Sequence, residues 1–198
     1  MMDFETNYDK LLQVNTCGRD DTNADACHHP YEPTPYRVLE WLEASLLLQE
    51  GDTLLDYGCG KGRVGFFLSK RANIKVIGIE YDENILKTAL ENQKISKIPT
   101  EFVLTRAEEY QVPPEVSHCY FFNPFSLEIL HKVLARILES WYENPRQINL
   151  FFYYPADEYI SFLMTIDELD FFDEIDCQDL FPGNDPRERV LIFQLPEY

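Results

Sequence analysis

The stretch from Asp56 to Gly62 constrains this chain more than any other, because glycines at 58, 60 and 62 stand between the apolar run TLLDYG and the helical run GRVGFFLSKR. An apolar run closed by glycines reads as a buried strand entering a tight loop. Glycine there lets the backbone turn sharply and approach a ligand that side chains would hold away. The helix starting at the loop presents unpaired N–H groups that favour an anion. The spacing departs from the dinucleotide pattern GxGxxG: the third glycine comes one position early, and Arg63 stands where that pattern wants glycine. Asp56, just before the loop, would repel a pyrophosphate but pair with an ammonium. A zwitterionic amino-acid moiety suits the loop better than a diphosphate, with nicotinamide-dependent oxidoreduction as a more distant alternative.

The alternation then continues: KVIGIE reads as a strand, DENILKTALENQKIS as a helix capped by Asp82, TEFVLT and HCYFFN as strands, SLEILHKVLARILESWYE as a long amphipathic helix and INLFFYY as a buried strand. Such alternation predicts a parallel sheet with helices on both faces. After Pro155 a short helix from Asp157 to Met164 precedes FFDEIDC and RVLIFQL, two strands joined by the turn-rich PGNDPRE, which predicts an antiparallel hairpin closing the sheet. At 198 residues one core is expected. Residues 1–34 are polar and lack a period, so they read as an arm or extension, and residues 35–198 as the domain. YEPTPY predicts Thr34 as N-cap and Pro35 as first residue of an amphipathic helix reaching Gln49.

Glu80 ends the second strand, where an acid accepts hydrogen bonds from ribose hydroxyls in nucleotide-binding sheets. With that residue, LLDYGCGKGRVGFFL followed by VIGIEYDENIL resembles the first two motifs of the class I S-adenosylmethionine-dependent methyltransferases, and the similarity spans Thr53 to Tyr154. The resemblance implies an α/β Rossmann-like methyltransferase fold, with a mostly parallel seven-stranded sheet, a C-terminal antiparallel hairpin and helices on both faces. It implies S-adenosylmethionine as cofactor, with its methionine part on the loop of Asp56, Gly58, Gly60 and Gly62, its ribose on Glu80 and its adenine beside Tyr81. Within RAEEY, it assigns Glu108 to the adenine amino group and Ala107 to a backbone contact.

At the end of the fourth strand, Asn123-Pro124-Phe125 resembles the Asn-Pro-Pro-Tyr/Phe motif of members that methylate amino groups of adenine or glutamine. There the Asn oxygen and a proline-region carbonyl accept from the target nitrogen, and an aromatic ring packs on the acceptor. Here one proline is missing and the aromatic arrives a position early. The same residues read as a strand-ending turn with Ser126 capping the next helix. Before the first strand, Tyr31 and Tyr36 read either as a lid over the cofactor or as packing for the first helix; Tyr153 or Tyr154 lines the acceptor pocket or continues the core. His118 and His131 read as structural.

Charge narrows the acceptor. With 17 basic and 35 acidic residues the net charge is −18, which opposes a phosphate backbone, although Lys61, Arg63, Lys70 and Arg71 offer a local basic patch. A methyl acceptor that is a small molecule or a protein side chain is therefore favoured, with an amino nitrogen suggested by the NPF segment. Nucleic-acid amino groups are the alternative, and a non-catalytic S-adenosylmethionine-binding partner or sensor is another. The five cysteines are odd in number and scattered, so no disulfide framework or zinc finger is expected. Cys27, His28 and His29 are adjacent, which seldom aims three side chains at one ion, and no metal is expected. No apolar run of about 18 residues occurs, the N-terminus MMDFETNYDK is acidic, and the cytoplasm is the expected compartment.

Overall fold

Thr53–Tyr57 (β1) is buried along its whole length, as the apolar run before the glycines requires, and it becomes the middle of a sheet. A computed structural model describes residues 4–19 and 31–197. In it Lys75–Glu80 (β2) pairs parallel to one side of β1 and His118–Phe121 (β4) to the other, while Glu101–Leu104 (β3) pairs outside β2. Ile148–Tyr153 (β5) pairs parallel to β4, and the final strands Asp170–Asp176 (β6) and Arg189–Leu195 (β7) run antiparallel, giving the order β3-β2-β1-β4-β5-β7-β6. The chain leaves β1 in opposite directions toward β2 and, later, β4. This is the topological switch point at whose carboxyl edge open α/β sheets bind ligands.

Alternate residues of each strand point to opposite faces, and both faces are covered. Leu55, Tyr57, Cys119, Phe121, Leu150, Phe152 and Phe193 meet Leu127–Glu143 (α5) and Asp157–Leu163 (α6), with Trp141 fully buried among them. On the other face Leu54, Val76, Tyr120, Phe151, Val190 and Ile192 meet Tyr36–Ala44 (α2) and Arg63–Arg71 (α3). Glu83–Ser96 (α4) starts at the expected cap, the Asp82 carboxylate accepting from the Asn84 and Ile85 N–H groups at 2.8 and 3.3 Å. Among the described residues no helix is long and apolar enough to cross a membrane, and no cluster of three metal-ligating side chains occurs. Cys27, His28 and His29 lie outside the described residues.

Three local expectations differ from the structure. The first domain helix stops at Ala44 rather than Gln49, because the Ser45 hydroxyl takes the Leu42 carbonyl and Leu46 turns to φ 61°, leaving Leu46 75% exposed. Thr34 does not cap it; its hydroxyl bonds that of Tyr120 at 3.0 Å, and Pro35 holds the N-cap position. Within the arm, Phe4–Leu12 is a helix (α1) that the sequence pattern does not show. Its buried positions are Asp9 and Leu12, so the inward face carries a carboxylate where a periodicity argument looks for an apolar residue.

Candidate functional site

The loop after β1 is held against β2 by its own backbone. The N–H groups of Gly58 and Cys59 both donate to the Ile79 carbonyl at 2.9 Å, and the Gly60 N–H donates to Glu80 Oε2 at 3.0 Å. Glu80 also accepts at Oε1 from the Tyr81 and Asp82 N–H groups, at 2.9 and 3.0 Å. It therefore braces the loop to the strand end. A carboxylate offers about four acceptor positions, and three are used, so one remains for a ligand hydroxyl. Burial raises the Glu80 carboxyl above its ordinary value, against the pull of those three N–H groups.

Glycine is required in this loop for different reasons at each position. At Gly58, with φ 73°, a Cβ would lie 2.7 Å from the Pro124 Cβ; at Gly60, with φ 55°, it would lie 2.2 Å from the Tyr31 ring. Gly58 thus lets the β4 turn close on the loop, and Gly60 seats the arm. Gly62 faces Phe102 and Phe66, where a Cβ would come within 2.6 and 2.8 Å, and neither it nor Gly60 lines the cavity. Its role is packing at the start of α3.

The cavity lies at the carboxyl ends of β1, β2 and β4. Asp56, Gly58 and Glu80 line its middle, and Tyr81, Ile85, Ala107, Glu108 and Ile129 one side. Tyr31 to Thr34, Tyr120, Phe122 and Pro124 line the remainder. Asp56 is 2% exposed, and its Oδ2 has no hydrogen-bond partner among the described residues. Burial first and the Glu80 charge second push its carboxyl up to about 8. Ala107 and Glu108 sit on a 3-10 turn over Ala107–Glu109, and Glu108 Oε2 is likewise buried without a partner. These are acceptors facing a space that holds no protein donor for them. An ammonium near Asp56 and an amino group near Glu108 fit that pattern.

At the end of β4, Asn123 takes φ 40°, turning the chain so that Pro124 covers Gly58. Asn123 is not among the residues lining the cavity. Phe125 lines it, yet its ring packs in the core against Phe121 at 6.3 Å, 3% exposed, and its carbonyl accepts from the Tyr159 hydroxyl. The ring that stands at this end is instead Phe122, half-buried and packed 4.6 Å from Tyr153. Ser126 occupies the N-cap position of α5 without a side-chain cap bond. Tyr153 is core, its hydroxyl bonded to Glu188 at 2.6 Å.

Of the two tyrosines before β1, Tyr31 covers the loop and lines the cavity, while Tyr36 is fully buried and donates to Asp9 at 2.7 Å. The supposed basic patch is also revised. Arg63 is 3% exposed and paired with Glu5 and Asp9, Lys61 lies over the Tyr31 ring at 4.8 Å, and Arg71 pairs with Glu43 at 3.1 Å. Sequence reasoning missed Thr34, Tyr120 and Phe122 as cavity walls, and Arg63 as an internal tie. Gly78, within β2, marks instead the close approach of the loop from beneath, since a Cβ there would stand 2.8 Å from Cys59.

Residues 54–144 match the family described as "Methyltransferase domain". A protein-lysine N-methyltransferase of Saccharolobus islandicus is 26% identical over 114 residues, covering 57% of this chain and 70% of that protein. The ribosomal protein L11 methyltransferase of Thiobacillus denitrificans is 34% identical over 83 residues, covering 40% of this chain, and the match spans only 27% of its own length. Among solved structures, an RNA methyltransferase from Salinibacter ruber in complex with S-adenosyl-L-homocysteine superposes with a TM-score of 0.60 at 20% identity, covering 84% of this chain and 95% of that one. That likeness extends the shared fold well past the matched segment, to most of the sheet. The segment that carries the glycine loop and Glu80 thus matches a methyltransferase domain, and the sheet has the Rossmann-like fold of S-adenosylmethionine-dependent methyltransferases.

Proposed function

We propose that the protein binds S-adenosylmethionine in the cavity between β1, β2 and β4 and methylates an amino nitrogen of a small molecule or a protein side chain. The observation that carries the donor is Asp56, a buried carboxylate with an open oxygen beside a glycine loop. Such a group calls for a cationic partner. S-adenosylmethionine supplies a methyl group activated on a sulfonium. Transfer from such a centre needs an aligned, desolvated acceptor more than a strong base. Asp56 would hold the ammonium of the methionine part, the remaining acceptor position of Glu80 a ribose hydroxyl, and Glu108 the adenine amino group. Pro124, Phe122 and Tyr31 would exclude water.

The acceptor class is supported by charge. The net charge is −18, and Lys61 and Arg63 beside the glycine loop are engaged within the chain rather than offered to phosphates. The likeness to a protein-lysine N-methyltransferase points the same way. In calorimetry, S-adenosylmethionine should give saturable heat and NADH none; heat from NADH alone would overturn the donor. Label from methyl-tritiated S-adenosylmethionine should then appear on polylysine or on a mixture of primary amines. Transfer to bulk tRNA, with salt-sensitive filter binding, would overturn the acceptor class.

Asn123 has a role separable by one substitution. Glycine accepts a φ of 40° without strain, so Asn123→Gly keeps the turn and removes the side chain. If the amide binds the acceptor, this variant should retain donor affinity and lose about a hundredfold in kcat/KM, within the range of one lost transition-state hydrogen bond. Unchanged turnover would make Asn123 a turn residue only.

A further inference from the structure

We propose that the N-terminal arm is a working wall of the donor site and that Arg63 is the positioning residue that fixes it, so that donor binding and arm ordering are energetically linked. The inference rests on the cavity being the donor site. The Arg63 guanidinium reaches both ends of the arm's described residues at once. Its Nε donates to Thr16 Oγ1 at 2.7 Å, one terminal nitrogen donates to the Thr34 carbonyl at 3.1 Å and to Glu5, and the other lies 3.3 Å from Cys17 Sγ. The guanidinium also stacks over the Tyr36 ring at 4.3 Å. Thr34 is a cavity wall, whereas Thr16 belongs to the arm's anchor.

The anchor is built around Asp9, which is 5% exposed. Asp9 accepts from the Thr16 N–H and hydroxyl, both at 2.6 Å, from the Cys17 N–H at 3.0 Å and from the Tyr36 hydroxyl at 2.7 Å. Tyr31 closes the circuit: its hydroxyl donates to the Thr16 carbonyl at 2.6 Å while its ring lies on Gly60. A second tie runs through Asn92 of α4, which bonds the Asn15 backbone at both N–H and carbonyl and the Lys61 carbonyl. The arm is thus joined by polar contacts to the glycine loop and, through the Thr34 hydroxyl on Tyr120 of β4, to the sheet edge that lines the cavity. A wall held in place beforehand removes an ordering cost from ligand binding, and the ligand in turn steadies the wall.

S-adenosylhomocysteine titrated by calorimetry into the full chain tests this. Tyr31→Ala, Asp9→Asn and Arg63→Gln should each weaken binding by about tenfold, a typical coupling, whereas Tyr31→Phe, which keeps the ring on Gly60, should cost less than about threefold. Tyr31 and Arg63 line the cavity but Asp9 does not, so the Asp9→Asn effect cannot come from a lost ligand contact and is the deciding one. The double variant Asp9→Asn with Arg63→Gln should bind no more weakly than Arg63→Gln alone, because both cut the same tie. In hydrogen exchange of the unmodified protein, S-adenosylhomocysteine should slow the Thr16 and Cys17 amides. A purely structural role for the arm would lower the thermal midpoint while leaving affinity and that protection unmoved, and this result would overturn the proposal. Should the buried-pair variants fail to fold, Tyr31→Ala and the exchange measurement decide it. Absence of S-adenosylhomocysteine binding to the unmodified protein would instead remove the function reading itself.

Discussion

Asp56→Asn should make the protein more stable at pH 8 and a much poorer binder of S-adenosylmethionine. Burial and the nearby Glu80 push the Asp56 carboxyl from 3.8 up to about 8, so the folded state keeps a proton that the unfolded chain gives up near its ordinary value. The sign follows: the folded state binds more protons across that window, so this group's contribution falls as pH rises from about 4 through about 8 and is level beyond. Removing the charge recovers on the order of a few kcal/mol at the upper end. Chemical denaturation from pH 5 to 8 should show a falling stability for the unmodified protein and a flatter profile for the variant, with a residual slope from Glu80, also raised by burial. Binding behaves oppositely. A ligand ammonium favours ionised Asp56, so binding near pH 7 should release about one proton, seen as a dependence of calorimetric heat on the buffer's ionisation enthalpy. The variant should release none and bind roughly 10- to 100-fold more weakly, the range for a charge-assisted bond. Equal affinity and equal proton release in the two proteins would remove Asp56 from the site.

The cavity's middle was legible in the sequence, as were Tyr81, Ala107 and Glu108 on one side, whereas Thr34, Tyr120 and Phe122 were not. Asp56, the glycines and Glu80 sit at strand ends whose positions follow from local apolar runs, and local runs are what a single sequence displays. All seven strands were visible for the same reason. Arg63 was not: as a basic residue after a glycine loop it reads as surface, and its burial depends on Glu5 and Asp9, more than fifty residues earlier in the chain. The α1 helix was hidden by the same pairing, since its inward Asp9 breaks the apolar period. Phe125 and Phe122 show a third limit. They lie three apart around a turn, and the φ of 40° at Asn123 between them contributes to a path that sends the Phe125 ring into the core and leaves Phe122 at the cavity.

Gly78→Val should damage the cavity from beneath, without replacing any residue that lines it. Gly78 lies within β2, under the glycine loop, and a Cβ there would stand 2.8 Å from both Cβ and Sγ of Cys59 and 2.9 Å from Phe102. The contact with Cys59 Cβ is the one that matters, because that atom is bonded to loop backbone and cannot rotate away. The strand partner is no freer: the Cys59 N–H is fixed to the Ile79 carbonyl one residue along. Relief therefore requires the loop to rise from β2, which breaks the Gly60 bond to Glu80. Overpacking of this kind costs about 1–3 kcal/mol, and affinity for S-adenosylhomocysteine should fall at least about tenfold as the brace is lost. Gly65→Ala provides the contrast. It too is a buried glycine near the loop, on α3, but its added Cβ would meet only the Thr100 and Val76 methyl groups at 3.3 and 3.5 Å, and the backbone is helical. The helix gains from alanine what the slight crowding costs, so stability should stay within about 1 kcal/mol and affinity unchanged. If Gly78→Val lowered the thermal midpoint yet bound S-adenosylhomocysteine as the unmodified protein does, the loop would be shown to hold its shape independently of β2.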